Sequence, residues 1–250
     1  MQSSPLLKIV NIKKSFGKVQ ALKGVSTVIQ HKEIVALIGD NGAGKSTLVN
    51  ILSGVFHPSE GEIYLEGKKV NFSLPLESRK AGIETVYQNY SLITSMNIVR
   101  NFYLGRELAK NKTMFSILDI NRMNEECKRA IMGVDINVRS VNELVSVLSG
   151  GERQAVSIGR AMHFRAKLLL LDEPLAALSV REVNKVQELI KEASKRVAIL
   201  YISHNIYHVY SIADRFVILD RGIKIGEFEK KDVTVEELMR IISTGKVAKI

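Results

Sequence analysis

An α/β fold built around a parallel sheet is predicted for this 250-residue chain by three observations. Ile34-Val35-Ala36-Leu37-Ile38 is a short apolar run, rich in β-branched residues, that enters a glycine-rich turn, as a strand buried on both faces does. Lys167-Leu168-Leu169-Leu170-Leu171 leads into a second such strand, which ends in two adjacent carboxylates, Asp172 and Glu173, before Pro174 redirects the chain. Between and beyond these strands, helical patterns alternate with further apolar runs.

In chain order, the sequence is strand-rich to about residue 38. A helix is expected from about Lys45 to Leu52, then a strand at Glu62-Ile63-Tyr64-Leu65 ahead of the polar turn Glu66-Gly67-Lys68. Residues near 90 to 150 read as mostly helical, through Ile98 to Leu104 and Asn124 to Met132, and interrupt the alternation. A helical run from Arg153 to Met162 follows. Ser179 and Glu182 spell a capping box for a helix carrying Val183, Val186, Leu189 and Ile190 on one face. The strand Val197 to Ile202, a helix, and the strands Phe216 to Leu219 and Lys224 to Gly226 come next. Thr234 and Glu237 cap a last helix. There is no solenoid-length repeat and no low-complexity linker.

The chemistry starts at Gly39-Asp40-Asn41-Gly42-Ala43-Gly44-Lys45-Ser46-Thr47, whose spacing matches a loop that wraps a nucleoside triphosphate. Glycines at 39, 42 and 44 let backbone N–H groups converge on an anion, and the new helix adds its positive end. Asn41, Gly42, Ala43, Gly44, Lys45, Ser46 and Thr47 are therefore the candidate ATP-binding residues. Lys45 is set to neutralise the β and γ phosphates, and Ser46 to offer Mg²⁺ a hydroxyl. Asp172, at a strand's carboxyl end, is placed to hold the Mg²⁺ shell, and Glu173 to orient or deprotonate the attacking water. Alone, these would read equally as strand-end acids; the upstream loop favours the chemical role. Leu148-Ser149-Gly150-Gly151-Glu152-Arg153-Gln154 opens a helix with a Ser cap and two small residues, so a hydroxyl, free N–H groups and a helix dipole can face an anion. Taken alone, it is also a well-capped helix start.

Following Gln88 and lying about twenty residues before Asp172, this third motif resembles the LSGGQ-like signature of the ATP-binding-cassette (ABC) ATPase family. The resemblance covers nearly the whole chain. It implies a P-loop NTPase (RecA-like) core with an N-terminal antiparallel β subdomain, at about 1–88 and 156–250, and an inserted α-helical subdomain at about 89–155. It implies that Ser149, Gly150 and Gly151 contact nucleotide held by the opposite subunit. Phe16, in Ser15-Phe16-Gly17, resembles the aromatic that stacks on adenine. Gln88, in Val86-Tyr87-Gln88-Asn89, resembles the glutamine that touches Mg²⁺ and the attacking water and couples the site to a permease. His204 matches the histidine that hydrogen-bonds the γ-phosphate. His31, His57, His163 and His208 have no comparable placement. Leu175-Ala176-Ala177-Leu178-Ser179 departs from the commonest pattern, because Ser179 stands where an aspartate is usual, which leaves its cross-subunit contact open.

Leu52 to Pro58, Thr85 to Gln88, Leu104 to Glu107 and Ile202 to Ile206 resemble monosaccharide importers of the ribose, galactose and fructose type. The resemblance implies ATP hydrolysis that powers sugar uptake, with the cassette on the cytoplasmic face of the membrane, bound to permease subunits and indirectly to a solute-binding protein. A single set of motifs points to a homodimer, and the regulatory domain of maltose-type importers is not expected. Import of another solute, such as an amino acid or a lipid, stays open.

Composition narrows the remaining classes. Hydrophobic residues make up 46% of the chain, enough for a sizeable core. Cys127 is the single cysteine, so no disulfide framework forms within the chain, and a reducing compartment is expected. No run approaches the roughly 18 apolar residues of a membrane span, and the N-terminus lacks a signal-like pattern. The net charge of +10 suits anionic partners in general. An ABC ATPase acting on DNA or ribosomes is the reading from another class. Without zinc spacing, an RNA-recognition motif, a basic tract, a long coiled-coil insert or a second cassette, nucleic acid is not the expected partner.

Overall fold

The computed structural model describes residues 4–87, 92–110, 117–133 and 138–247. It contains two compact units. One comprises Met1–Thr85, Ala166–Pro174 and Lys191–Ile250; the other comprises Val86–Arg165 and Leu175–Ile190.

The first unit carries two sheets. An antiparallel one has the order β2-β1-β4-β5, from β1 (Leu7–Phe16), β2 (Val19–Ile29), β4 (Glu60–Leu65) and β5 (Lys68–Val70). The other has the order β10-β9-β3-β8-β7-β6, from β3 (Ile34–Ile38), β6 (Ile83–Val86), β7 (Leu168–Asp172), β8 (Ala198–Ser203), β9 (Arg215–Asp220) and β10 (Ile223–Glu229). Strands β9, β3, β8 and β7 run parallel, and β10 returns antiparallel along β9. All five residues of β3 and all six of β8 are buried, which is why these segments are apolar without alternation. Helix α1 (Lys45–Leu52) buries Leu48, Val49, Ile51 and Leu52 in a core with Leu37, Leu170, Leu200 and Val217. Helices α2 (Pro75–Ala81), α7 (Ile206–Tyr210) and α8 (Val235–Thr244) also belong to this unit, and α8 begins with the expected capping box of Thr234 and Glu237.

Arg215 is a buried fastener in this unit. Its guanidinium bonds Glu33 twice, through Nε at 2.7 Å and Nη2 at 3.0 Å, donates to Val28 O at 2.6 Å, and pairs with Glu227. Arg215 and Glu33 have side chains only 8% and 13% exposed, so losing the cation strands carboxylates where water reaches them poorly. Arg215→Ala is therefore expected to lower stability by about 3–5 kcal/mol, read as a shift in the urea midpoint, whereas a surface pair such as Lys195–Glu192 should show almost nothing.

The second unit is helical. Helices α3 (Ile98–Tyr103), α4 (Ile120–Met132) and α5 (Gly150–His163) enclose Ile98, Phe102, Met123, Cys127, Ile131 and Val156. Burial pushes the Cys127 thiol up to about 12, which keeps it protonated and unreactive. Asn101, 1% exposed, accepts from Ile93 N at 2.7 Å and donates to Ile93 O at 2.9 Å, pinning the segment before α3. Helix α6 (Val180–Ser194) begins in this unit and ends in the first.

Candidate functional site

The sheet order brings distant motifs to one edge. Ile38, the last residue of β3, pairs with Ser203 of β8, and Asp172 of β7 pairs with Ile202. The glycine-rich turn, the acidic pair and His204 thus leave neighbouring parallel strands at their carboxyl ends, where ligands bind in open α/β sheets.

The turn is shaped by close approach. At Gly39 (φ +147°), a Cβ would lie 2.1 Å from Leu219 O, and at Gly44 (φ +103°) it would lie 2.8 Å from both Ala21 O and the Leu22 side chain. Gly222 N donates to Ala43 O at 3.0 Å, tying the turn to the β9–β10 hairpin. Gly44 caps α1 with no side-chain hydrogen bond, and no acidic residue stands in the first turn, so the helix's leading N–H groups are offered to an anion. Asn41, Gly42 and Ser46 are exposed, Gly44 and Thr47 half-buried, and Ala43 buried.

Lys45 is 7% exposed, with Nζ donating to Gly39 O at 2.6 Å and Asp40 O at 2.9 Å. That uses two of its three donors. Burial lowers its pKa from the ordinary lysine value, and the charges of Glu173, Asp172 and Asp40, in that order, pull it back up. Asp172 answers from the other side. Burial raises its carboxyl first, the Glu173 charge adds to the rise, and Lys45 opposes it. The buried, under-compensated Asp172 carboxylate and the exposed Ser46 hydroxyl are oxygen donors of the kind that suits Mg²⁺, which takes one or two carboxylates and completes its shell with water and phosphate oxygens. Among the described residues no group of three or more His, Cys, Asp or Glu side chains could hold a metal by itself.

Glu173 is held by four contacts. Its N–H donates to Ile202 O at 3.0 Å, Ser203 Oγ donates to Oε2 at 3.1 Å, and Oε1 receives His204 N at 2.8 Å and His204 Nδ1 at 2.6 Å. With Nδ1–H on the carboxylate, the other imidazole nitrogen is left for a ligand, and the ring is 59% exposed. Glu173 adopts φ +49° immediately before Pro174, a conformation costing about 1–3 kcal/mol that the surrounding contacts must hold. Ser203 was not among the sequence candidates, although its position beside His204 was a usable signal.

Phe16 ends β1 and is 43% exposed, edge-on to Phe56 at 5.2 Å, with Lys14 Nζ 5.1 Å from its ring. An aromatic face outside the core is available for stacking. Gln88 lies outside the described residues.

In the second unit, Ser149 caps α5 and forms a full capping box with Glu152: Ser149 Oγ accepts from Glu152 N at 3.3 Å, and Glu152 Oε2 accepts from Ser149 N at 2.8 Å. Ser149 is exposed, Gly150 half-buried and Gly151 buried. His163, without an assigned role, packs against Phe102 and Phe164.

Residues 22–176 match the family model described as ABC transporter, a span that leaves Phe16 and His204 outside. The chain is 45% identical to a xylose/arabinose import ATP-binding protein of Sulfolobus acidocaldarius, covering 99% of this chain and 97% of that one. It is 39% identical to a fructose import ATP-binding protein of Rhizobium meliloti, covering 98% and 96%. Among solved structures, a nucleotide-free ATP-binding cassette from an ABC transporter aligns at a TM-score of 0.80 with 25% identity, covering 96% of both chains. A dimeric bacterial ABC transporter cassette aligns at 0.75 with 25% identity, covering 91% of this chain and all of the other. With the glycine-rich turn, the paired carboxylates and the capped start of α5 already in place, the chain belongs to the ABC transporter family, as one of its ATP-binding, ATP-hydrolysing cassettes.

Proposed function

We propose that this cassette powers the uptake of a sugar, a monosaccharide, through a membrane permease. The observation that carries the hydrolytic half is the Glu173 carboxylate, aimed by Ser203 and His204 and lying in the field of Lys45. The names of the full-length relatives, importers of xylose or arabinose and of fructose, support the sugar. No helix among the described residues is long and apolar enough to cross a membrane.

In this reading Phe16 stacks on the adenine, and the turn from Asn41 to Thr47 wraps the phosphates. Lys45 turns its ammonium onto the β and γ oxygens, where charge accumulates as the bond breaks. Ser46 and Asp172, with Gln88, would hold Mg²⁺, which would supply charge neutralisation on the phosphate oxygens. Glu173 aligns the attacking water and takes its proton, while His204 keeps that carboxylate in place and presents its second nitrogen to the γ-phosphate. Ser149, Gly150 and Gly151 contact the nucleotide of a second copy, a homodimer supported by the dimeric structural relative. Closing the dimer on two ATP molecules drives the permease, and hydrolysis removes the charge that held the interface. The β-rich first unit is the catalytic body and the helical second unit carries the signature and the coupling to the permease at the cytoplasmic face.

The test is to recover the protein from solubilised membranes, identify the permease and binding protein attached to it, and reconstitute the assembly in vesicles. Pentoses or hexoses should raise ATP hydrolysis in the presence of the binding protein. Stimulation by amino acids instead, or by nucleic acid with no membrane subunit attached, would overturn the proposal.

A further inference from the structure

Glu182 is the third residue of α6, and its capping box with Ser179 would be complete without further contacts. Its Oε2 accepts from Ser179 N at 3.0 Å and Ser179 Oγ at 2.8 Å, while Ser179 Oγ receives Glu182 N at 3.4 Å. The second carboxylate oxygen does something a cap does not require. Oε1 accepts from Gly151 N at 3.0 Å, thirty-one residues away in the first turn of α5.

The glycine at 151 is explained by the same contact. Its φ is not positive, so no unusual backbone shape calls for glycine there. A Cβ would instead lie 3.0 Å from both Cβ and Cγ of Glu182 and 3.3 Å from Oε1. The bare backbone lets the Glu182 side chain lie flat against the turn. Donors on both sides, the Gly151 N–H first, then the Ser179 hydroxyl and N–H, then the Ser149 hydroxyl, bring the Glu182 carboxyl down to about 2, so it stays charged throughout the working pH range. Gly151 is the buried side of the turn, and Ser149 and Gly150 are its more exposed side. Anchoring the inner N–H leaves the outer groups facing away.

We propose that Glu182 is a positioning residue that straps the Ser179 segment to the signature turn through Gly151 N, so that both meet the partner subunit's nucleotide as one piece. This rests on the cross-subunit reading given under the proposed function. The strap supplies a carboxylate in a segment whose usual aspartate is replaced by Ser179. Displacing either segment alone breaks a charge-assisted hydrogen bond, so the two move together.

The test uses the full chain carrying Glu173→Gln to stop turnover, with ATP-dependent dimer formation read by light scattering. Glu182→Asp keeps the charge and can still cap at Ser179, but it is one methylene short of Gly151. Glu182→Gln keeps the length but offers one acceptor where two are needed. Both variants are expected to need roughly tenfold more ATP for half-maximal dimerisation, with the affinity of the monomer for nucleotide unchanged. In the hydrolysing protein, Glu182→Asp should raise the KM for ATP more than it lowers kcat. Dimerisation of Glu182→Asp at the parent's ATP concentration would reduce Glu182 to a helix cap and overturn the inference. Dimerisation of Glu182→Gln at lower ATP would also overturn it, by making the carboxylate a competitor of phosphate. A parent that forms no ATP-dependent dimer would sink the cross-subunit reading itself and the strap with it.

Discussion

Glu173→Gln is expected to bind ATP as the parent does, to hydrolyse it roughly 10²–10⁴-fold more slowly, and to accumulate as a closed dimer. The amide is nearly isosteric and its oxygen can still accept from His204, so the turn at φ +49° should keep its shape. What it loses is the ability to take a proton from water. With the amide oxygen at the Oε1 position, His204 N and Nδ1 keep their acceptor, and the NH₂ donates to Ser203 Oγ, which reverses that one bond. Single-turnover hydrolysis with radiolabelled ATP, beside equilibrium binding of a fluorescent nucleotide, separates the two effects. Turnover within a few-fold of the parent would remove Glu173 from the role of base.

Lys45→Ala should fail one step earlier, at binding. The Lys45 ammonium is held inside the glycine-rich turn, and in the proposed role removing its charge-assisted contact of about 1.5–3 kcal/mol weakens ATP binding by roughly tenfold to a hundredfold. A second effect follows from the local charge balance. Lys45 is the group that opposes the rise of the Asp172 carboxyl, so without it burial and Glu173 act unchecked and Asp172 holds its proton to higher pH. The Mg²⁺ dependence of the residual binding should therefore shift toward higher pH as well as higher concentration. Isothermal titration with MgATP at two pH values reads both. Unaltered affinity would place the phosphates elsewhere than on the turn after β3.

Much of the site was legible because its signals are local. Glycine spacing after an apolar run predicts the anion-binding turn, and α1 spans Lys45–Leu52 as expected. The capping residues Ser149, Ser179 and Thr234 mark helix starts at α5, α6 and α8, because a side chain that satisfies an N–H three residues on needs no distant partner. Residues 68–86 carried no such signal. There β5, α2 and β6 are short, α2 starts at a proline without a side-chain cap, and their apolar residues are too few to set a period.

The chain's own pattern of apolar runs, glycines and caps determined the fold class, the glycine-rich turn and the acidic pair, since each depends on neighbours within about one turn or strand. Only the tertiary structure decided that β3 lies between β8 and β9, that Ser203 and His204 grip Glu173 from thirty residues away, and that Glu182 has a second partner in Gly151. Strand order and contacts of this reach are selected by how a whole sheet and its helices bury their surfaces together, a collective minimum that no local stretch of sequence states by itself.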